Sequence, residues 1–369
     1  FNLSDSGLNP KDSTITYNVT GNDFDLNGIS EARAYLVDEA FKLLEVVMGF
    51  DFEKTSDAEA DIVFGDFDSG VAYAAPGGES YGIGLDYVDV HIAFDWEFGT
   101  SGFGDYTFQT ILHEIGHALG LGHQGNYNNS ASYPSNAEFT NDSWQSSIMS
   151  YFSPSENTTI DADFNYVSTF MPADWIALND IYSSEGYSTA NAFSGDTIYG
   201  FNTNISSSTS DIYSQMKDWI TTTSYTLVDG EGIDLVDFSQ FSDDQLIDLR
   251  ATELTSTTLY SSNIGGKTGN LIIANGTVIE NVKGGSGADT IIGNNSNNEI
   301  FGNDGDDTIN SGDGDDSIDG GSGDDDMTGG DGDDTYIVDS SGDTVTEVSG
   351  EGTDTIQSSV TYTASDNVE

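Results

Sequence analysis

The sequence predicts two domains of different class: an α+β domain over residues 1–190 and an all-β parallel roll over residues 191–369. Three observations predict this. The composition shifts near residue 190 from a globular mixture to one dominated by Ser, Thr, Asn, Asp and Gly. Helix-period and strand-like segments are interleaved before the shift. After it, a nine-residue pattern repeats through 284–346.

In the first domain, Leu36, Ala40, Leu43, Leu44 and Val47 fall at helical spacing, so Ile29–Val47 reads as an amphipathic helix with its apolar stripe inward. Asp61–Phe64 and Val88–Phe94 read as short strands. Thr107–Gly120 reads as a helix stopped by glycine. Asp174–Tyr182 reads as another, with Trp175, Leu178 and Tyr182 on one face.

The repeat runs GGSGADTII, GNNSNNEIF, GNDGDDTIN, SGDGDDSID, GGSGDDDMT and GGDGDDTYI from Gly284, with a decayed copy from Val338. Position eight is apolar every time: Ile291, Ile300, Ile309, Ile318, Met327, Tyr336 and Val345. Position six is Asp in every copy but the second, which has Asn298. Between Gly284 and Val345 stand 17 acidic residues and no Lys or Arg. A chain that merely repels itself has no need of register. Glycine lets main-chain carbonyls turn toward a common point, and Asp adds hard oxygen, a donor set that suits Ca2+. The recurrent apolar residue then fills a thin core between two stacked parallel sheets. Candidate calcium ligands are Asp289, Asp304, Asp307, Asp313, Asp316, Asp325, Asp331 and Asp334. Gly285, Gly287, Gly305, Gly312, Gly314, Gly321, Gly323, Gly330 and Gly332 join them through their carbonyls. The site beside Asn298 is expected to be weak or missing. The pattern resembles the calcium-binding nonapeptide of RTX proteins.

Composition excludes several functions. With 64 acidic and 8 basic residues the formal charge is −56, which disfavours nucleic acid and anionic membranes as partners. No apolar run is long enough for a membrane span, so no membrane insertion is expected. There is no Cys, so disulfides, thiol catalysis and thiolate metal sites are excluded. The first residue is Phe1, which suggests numbering that begins after a processed or truncated segment.

The most informative segment is HEIGHALGLGH, His113–His123, which holds three of the four histidines. His113 and His117 project from one helix face a turn apart. Gly120 lets the chain leave the helix, and His123 returns as a third ligand. Three imidazoles bind one Zn2+ and leave a position for water, the catalytic arrangement. Glu114 is placed as the general base toward a water activated by that zinc. His91, the remaining histidine, reads as a structural strand residue.

This pattern, with Ser147-Ile148-Met149-Ser150-Tyr151 downstream as a Met-turn, resembles the metzincin metalloproteases. With the calcium repeats it resembles the serralysin family of bacterial secreted zinc endopeptidases, over nearly the whole chain. The resemblance implies a metzincin domain, with a twisted mixed sheet, helices and a central cleft, followed by a β-roll. It implies Met149 as the floor of the zinc site. It implies Tyr151 as an additional zinc ligand at rest that swings to the oxyanion, a contact worth roughly 2.7–4 kcal/mol of barrier. It also implies a further calcium site from Asp229, Asp234 and Glu280, assisted by carbonyls of Phe193, Gly195, Thr197, Glu231 and Gly232. A peptide substrate would pair with an edge strand, for which Gly70–Ala75 is the candidate, through Val71, Ala72, Tyr73 and Ala74. Protein or peptide substrates, a monomer, one catalytic Zn2+, several structural Ca2+ and type I secretion from a Gram-negative cell are the family's implications. Two departures stand out. Gln124 occupies the place of the usual Pro after the third histidine, and Glu369 ends the chain without a recognisable secretion signal, as if trimmed.

Two other readings compete: a calcium-binding adhesion or matrix module with a vestigial protease domain, and a zinc hydrolase of non-peptide substrates. Intact His113, Glu114, His117 and His123 weigh against the first, and the Met-turn against the second.

Overall fold

The computed structural model describes residues 14–21, 28–58, 60–66, 70–76, 87–93, 102–128, 130–253, 259–365 and 367–368. Phe94, placed at the end of a strand by the sequence, lies outside the described residues, as do Phe1 and Glu369. The chain divides into two compact units, Phe1–Ala192 with Thr222–Thr226, and Phe193–Thr221 with Leu227–Glu369. The short return of 222–226 into the first unit has no counterpart in the sequence reading.

The first unit contains β1 (Ile15–Asn18), α1 (Glu31–Met48), β2 (Phe52–Thr55), β3 (Ile62–Gly65), β4 (Ala72–Pro76), β5 (Val88–Ile92), α2 (Tyr106–Ala118), β6 (Tyr166–Val167) and α3 (Pro172–Tyr182). Helix α1 starts where the Ser30 hydroxyl accepts the Arg33 amide and stops at Gly49, whose φ of 79° only glycine adopts cheaply. Five strands form one sheet in the order β2-β1-β3-β5-β4. All pairs are parallel except β4–β5, so the sheet is mixed and β4 lies at its edge. The α1 stripe covers the sheet through Phe41, whose ring lies 4.4 Å from those of Tyr17 and Phe52. Buried Arg33 reaches from α1 to the carbonyls of Ile92 and Ala93, at 3.2 and 2.7 Å, and so satisfies main-chain acceptors at the end of β5. The sequence reading omitted β1 and β2. Their segments, ITYN and FEKT, are four residues each, too short to display a period.

The second unit begins with β7 (Ile198–Gly200), α4 (Asp211–Ser214) and α5 (Met216–Trp219). Strand β8 (Thr223–Leu227) follows; its first residues belong to the first unit, where Thr223 and Ser224 pair with β6. Then come β9 (Leu235–Asp237), β10 (Leu246–Asp248), β11 (Leu271–Ile273), β12 (Asn281–Lys283), β13 (Thr290–Asn294), β14 (Glu299–Asp304), β15 (Thr308–Gly312), β16 (Ser317–Ser322), β17 (Asp326–Thr328), β18 (Thr335–Val338), β19 (Thr344–Thr346) and β20 (Thr355–Ser358). Successive repeats alternate between two wholly parallel sheets, β10-β13-β15-β17-β19 and β20-β18-β16-β14-β12-β9-β7. A residue therefore meets its equivalent two copies later: Ile291 opposes Ile309, and Ile300 opposes Ile318. The seven apolar position-eight residues are each no more than 1% exposed and form the core of the roll.

That core is one residue wide, so its members tolerate little loss. Ile318→Ala is expected to destabilise the roll by about 2–5 kcal/mol, read as a lower urea midpoint of the strand signal in circular dichroism.

Candidate functional site

Helix α2 carries the cleft chemistry. The Asp105 carboxylate caps it by accepting the Phe108 amide at 3.0 Å. The helix ends at Ala118, and Gly120 takes φ 96°, which turns the chain away. The turn brings His123 back beside His113 and His117, and one nitrogen from each imidazole lies within 4.8 Å of the other two. Main-chain carbonyls orient all three rings. His113 Nδ1 donates to Ile148 O at 2.8 Å, His117 Nδ1 to Leu121 O at 2.8 Å, and His123 Nδ1 to Tyr127 O at 2.9 Å. With Nδ1 protonated, each Nε2 carries a bare lone pair. His117 Nε2 and His123 Nε2 are 3.1 Å apart. Two lone pairs so close repel unless a cation lies between them. The spacing approaches the about 3.3 Å edge of a tetrahedral site with bonds of 2.0–2.1 Å. The donor set therefore fits Zn2+. Burial lowers the basicity of all three rings, and His113 falls to about 3 with help from His117, so they are neutral ligands at neutral pH.

Glu114 is 5% exposed, and its Oε2 has no hydrogen-bond partner. Burial pushes its carboxyl up to about 8, against a hydrogen bond from the Ala74 amide on β4. A cleft of about 810 Å3 opens over these groups, lined by Val71, Ala72 and Tyr73 on one side and Trp144, Ile148 and Tyr151 on another. The Tyr151 ring lies 4.5 Å from that of His123. Met149 is 2% exposed beneath α2; a Cβ built on Gly116 would come within 2.8 Å of its sulfur. His91 is buried on β5, stacks on Tyr73 at 5.2 Å and is not a member of the three-histidine group.

Two carboxylates that the sequence reading did not single out support this arrangement. Buried Asp174, at the start of α3, accepts from Ser147 Oγ at 2.6 Å and the Ile148 amide at 2.7 Å. It thereby fixes the segment whose Ile148 carbonyl orients His113. Buried Asp142 accepts from Tyr127 Oη at 3.0 Å and Ser150 Oγ at 2.6 Å. Pro172 and Asp174 in a first turn are a legible helix-start signal. Nothing local announces what Asp142 or the Tyr127 carbonyl does.

In the second unit, Asp229 and Asp234 are buried. Asp234 Oδ1 accepts the Thr197 amide at 2.7 Å, and Glu280 Oε2 accepts the Asp234 amide at 2.8 Å. Asp229 Oδ1 has no partner, and burial together with Asp234 raises this carboxyl to about 8. The Gly195 carbonyl faces the same loop, 2.8 Å from where a Gly232 Cβ would stand. The Phe193 carbonyl accepts the Gly195 amide, and Glu231 and Gly232 are exposed. This is a fit for a hard cation: buried oxygens, one of them orphaned.

Along the repeats the position-six carboxylates form ladders. The amides of Asp289, Asp307 and Asp316 donate to Oδ1 of Asp307, Asp325 and Asp334, eighteen residues on, at 2.7–2.9 Å. The Oδ2 atoms of Asp307, Asp316, Asp325 and Asp334 are buried without partners. Glycine is required where turns stack, since a Cβ on Gly323 would stand 1.8 Å from the Gly305 carbonyl oxygen. Asp304, Asp313 and Asp331 are exposed instead and join no group of three converging carboxylates among the described residues.

Both units match known families. Residues 9–145 match the family described as Matrixin, and residues 188–365 match Peptidase M10 serralysin C terminal. The chain is 33% identical to a serralysin of Photorhabdus sp. (strain Az29) over 79% of its own length and 58% of the relative's. It is 35% identical to metalloprotease AprA of Pseudomonas entomophila, over 65% and 48%, and 37% identical to serralysin C of Dickeya chrysanthemi, over 51% and 36%. The chain thus spans roughly half the length of these relatives or less. It belongs to the serralysin family, with a matrixin-type domain followed by the family's C-terminal domain.

Two outcomes follow from this geometry. Gly116→Ala drives a methyl into Met149, which is expected to cost about 1–3 kcal/mol and to weaken zinc binding in a competition titration. The second concerns the ladders. Burial raises Asp307 and Asp334 to about 7 and Asp316 and Asp325 to about 6, from an ordinary 3.8. A carboxyl raised on folding stabilises the fold below its unfolded value and loses that contribution as pH rises through the folded value. In chelator, the roll is expected to hold its strand signal near pH 4 and lose it by about pH 7. Asp307→Asn with Asp325→Asn should flatten that profile.

Proposed function

We propose that the chain is a secreted zinc-dependent endopeptidase, with a protease domain over 1–190 and a calcium-held roll over 191–369. The observation that carries this reading is the convergence of three proton-free Nε2 atoms beside the unpartnered Oε2 of Glu114, in a cleft edged by β4.

His113, His117 and His123 would hold a single Zn2+, which when bound supplies a Lewis acid for the scissile carbonyl and raises the acidity of water. An extended substrate pairs with the outer edge of β4, along Val71, Ala72, Tyr73 and Ala74. Glu114 takes the proton of the attacking water at Oε2 and passes it to the leaving amine. Burial raises its carboxyl, and its Oε2, with no other partner, is open to that proton. The Ala74 amide holds this carboxylate and so ties the general base to the strand that positions the peptide. Tyr151 donates a hydrogen bond from its hydroxyl to the developing oxyanion, and would be an additional ligand to the ion at rest. Met149 is the apolar floor under the imidazoles.

Several Ca2+ ions would occupy the Asp229–Asp234–Glu280 loop and the turns of the roll, where they neutralise the stacked carboxylates. Folding then waits for a calcium-rich exterior, which suits type I secretion of an unfolded chain from a Gram-negative cell. No helix among the described residues is long and apolar enough to cross a membrane. The protein is expected to act as a monomer on protein or peptide substrates.

Casein hydrolysis tests the reading. Glu114→Gln is expected to lower kcat about 10²–10⁴-fold while the zinc content stays at one per chain. Phenanthroline should abolish wild-type activity. Equal rates for wild type and Glu114→Gln would remove the general base from the mechanism.

A further inference from the structure

The last turns of the roll depart from the nine-residue pattern at two points. Position one of a copy is Gly284, Gly293, Gly302, Gly320 or Gly329 elsewhere, with Ser311 and Val338 the other exceptions. After Val345 it is Glu347. Strands β17 and β19 pair Thr328 with Thr346, so the next residues set Glu347 opposite Gly329. At Gly329 a Cβ would stand 2.0 Å from Asp334 Oδ2 and 2.4 Å from the Tyr336 hydroxyl, so the turn below excludes any side chain there. The last turn puts a carboxylate in that place. The second departure is the ladder step. Asp334 donates its amide to Asp354 Oδ1 at 3.0 Å, twenty residues on rather than eighteen. Strand pairing continues across the insertion, with Thr335 opposite Thr355.

Together these changes bring Asp334, Glu347 and Asp354 to one point. The three are 1%, 6% and 2% exposed, and one carboxylate oxygen from each lies within 4.8 Å of the other two. The Tyr336 hydroxyl donates to Glu347 Oε1. Glu347 Oε2 and Asp334 Oδ2 are buried with no partner. Buried carboxylates this close cannot all be charged without a countercharge. Among the described residues no Lys, Arg or His forms an ion pair with any of the three. All-oxygen, carboxylate-rich donors at this spacing match the shell of Ca2+, with bonds of about 2.3–2.6 Å. Unlike the glycine-loop sites, this one draws its oxygens from side chains of three different segments, and β19 and β20 are the end strands of their sheets.

We propose that Asp334, Glu347 and Asp354 form a terminal calcium site that clamps the last turn onto the body of the roll. The identity of the ion rests on the reading of the roll as calcium-held, and the test separates the two. The full chain is depleted with EGTA and titrated with Ca2+, with Mg2+ as a control, by calorimetry and equilibrium dialysis. Glu347→Gln keeps the shape and the Tyr336 contact but is expected to bind one ion fewer than wild type. Residues 344–346 and 355–358 should lose calcium-dependent amide protection while 290–318 keep it. Asp354→Asn should lose the same ion. An unchanged ion count in these variants overturns the terminal site and leaves the roll's other ions standing. A wild type that binds no calcium overturns both. Should neither variant fold, crystals of wild type grown with calcium decide. An ion bonded to Glu347 supports the site, and carboxyl groups hydrogen-bonded to each other with no ion refute it.

Discussion

Three main-chain carbonyls, of Ile148, Leu121 and Tyr127, orient the imidazoles of the first unit. An imidazole presents a lone pair in a fixed direction only when its other nitrogen is committed. The order of dependence therefore runs from the carbonyls to the rings and then to any ion they would hold. Asp174 secures the Ile148 segment, Gly120 sets the path that brings Leu121 under His117, and Asp142 anchors the Tyr127 side chain.

The roll solves the opposite problem. Its carboxylates are close because the fold stacks them, not because chemistry on a substrate needs them. Asp307, Asp316, Asp325 and Asp334 each spend one oxygen on the amide eighteen residues earlier and leave the other buried and bare. Such a stack is costly at neutral pH without cations, so in the proposed function fold and ion would be one equilibrium. The two units thus offer metals different donors: three neutral nitrogens already oriented in one, and stacked anionic oxygens in the other.

The link between β4 and Glu114 would join substrate position to proton transfer in the proposed reaction. The Ala74 amide holds the carboxylate, and Ala74 is on the edge strand. A displacement of β4 would therefore disturb the proposed base as well as the proposed pairing surface. His91 stiffens the same edge from β5 through its stack on Tyr73.

Much of this was legible in the sequence because it is local or periodic. The His113–Glu114–His117 face follows from helical pitch, and the buried run from Ile291 to Val345 follows from a period of nine. The position-six Asp was legible as a ligand type, but its partner eighteen residues away was not, since alternation between two sheets is a property of the folded turn. Strands β1 and β2 escaped because four residues show no period. The carbonyl partners of the histidines are invisible in any sequence, because every residue has a carbonyl and only packing selects one. Asp304, Asp313 and Asp331 looked equivalent to the buried ladder and proved exposed. Glu347 and Asp354 lie beyond the last copy of the repeat, where no period marks them, and they converge on Asp334. Sequence alone thus determined which chemical groups exist and which share a helix face or a repeat position. Only the tertiary structure decided which of them meet, because closeness between residues far apart in the chain is set by strand register and turn geometry, not by residue type.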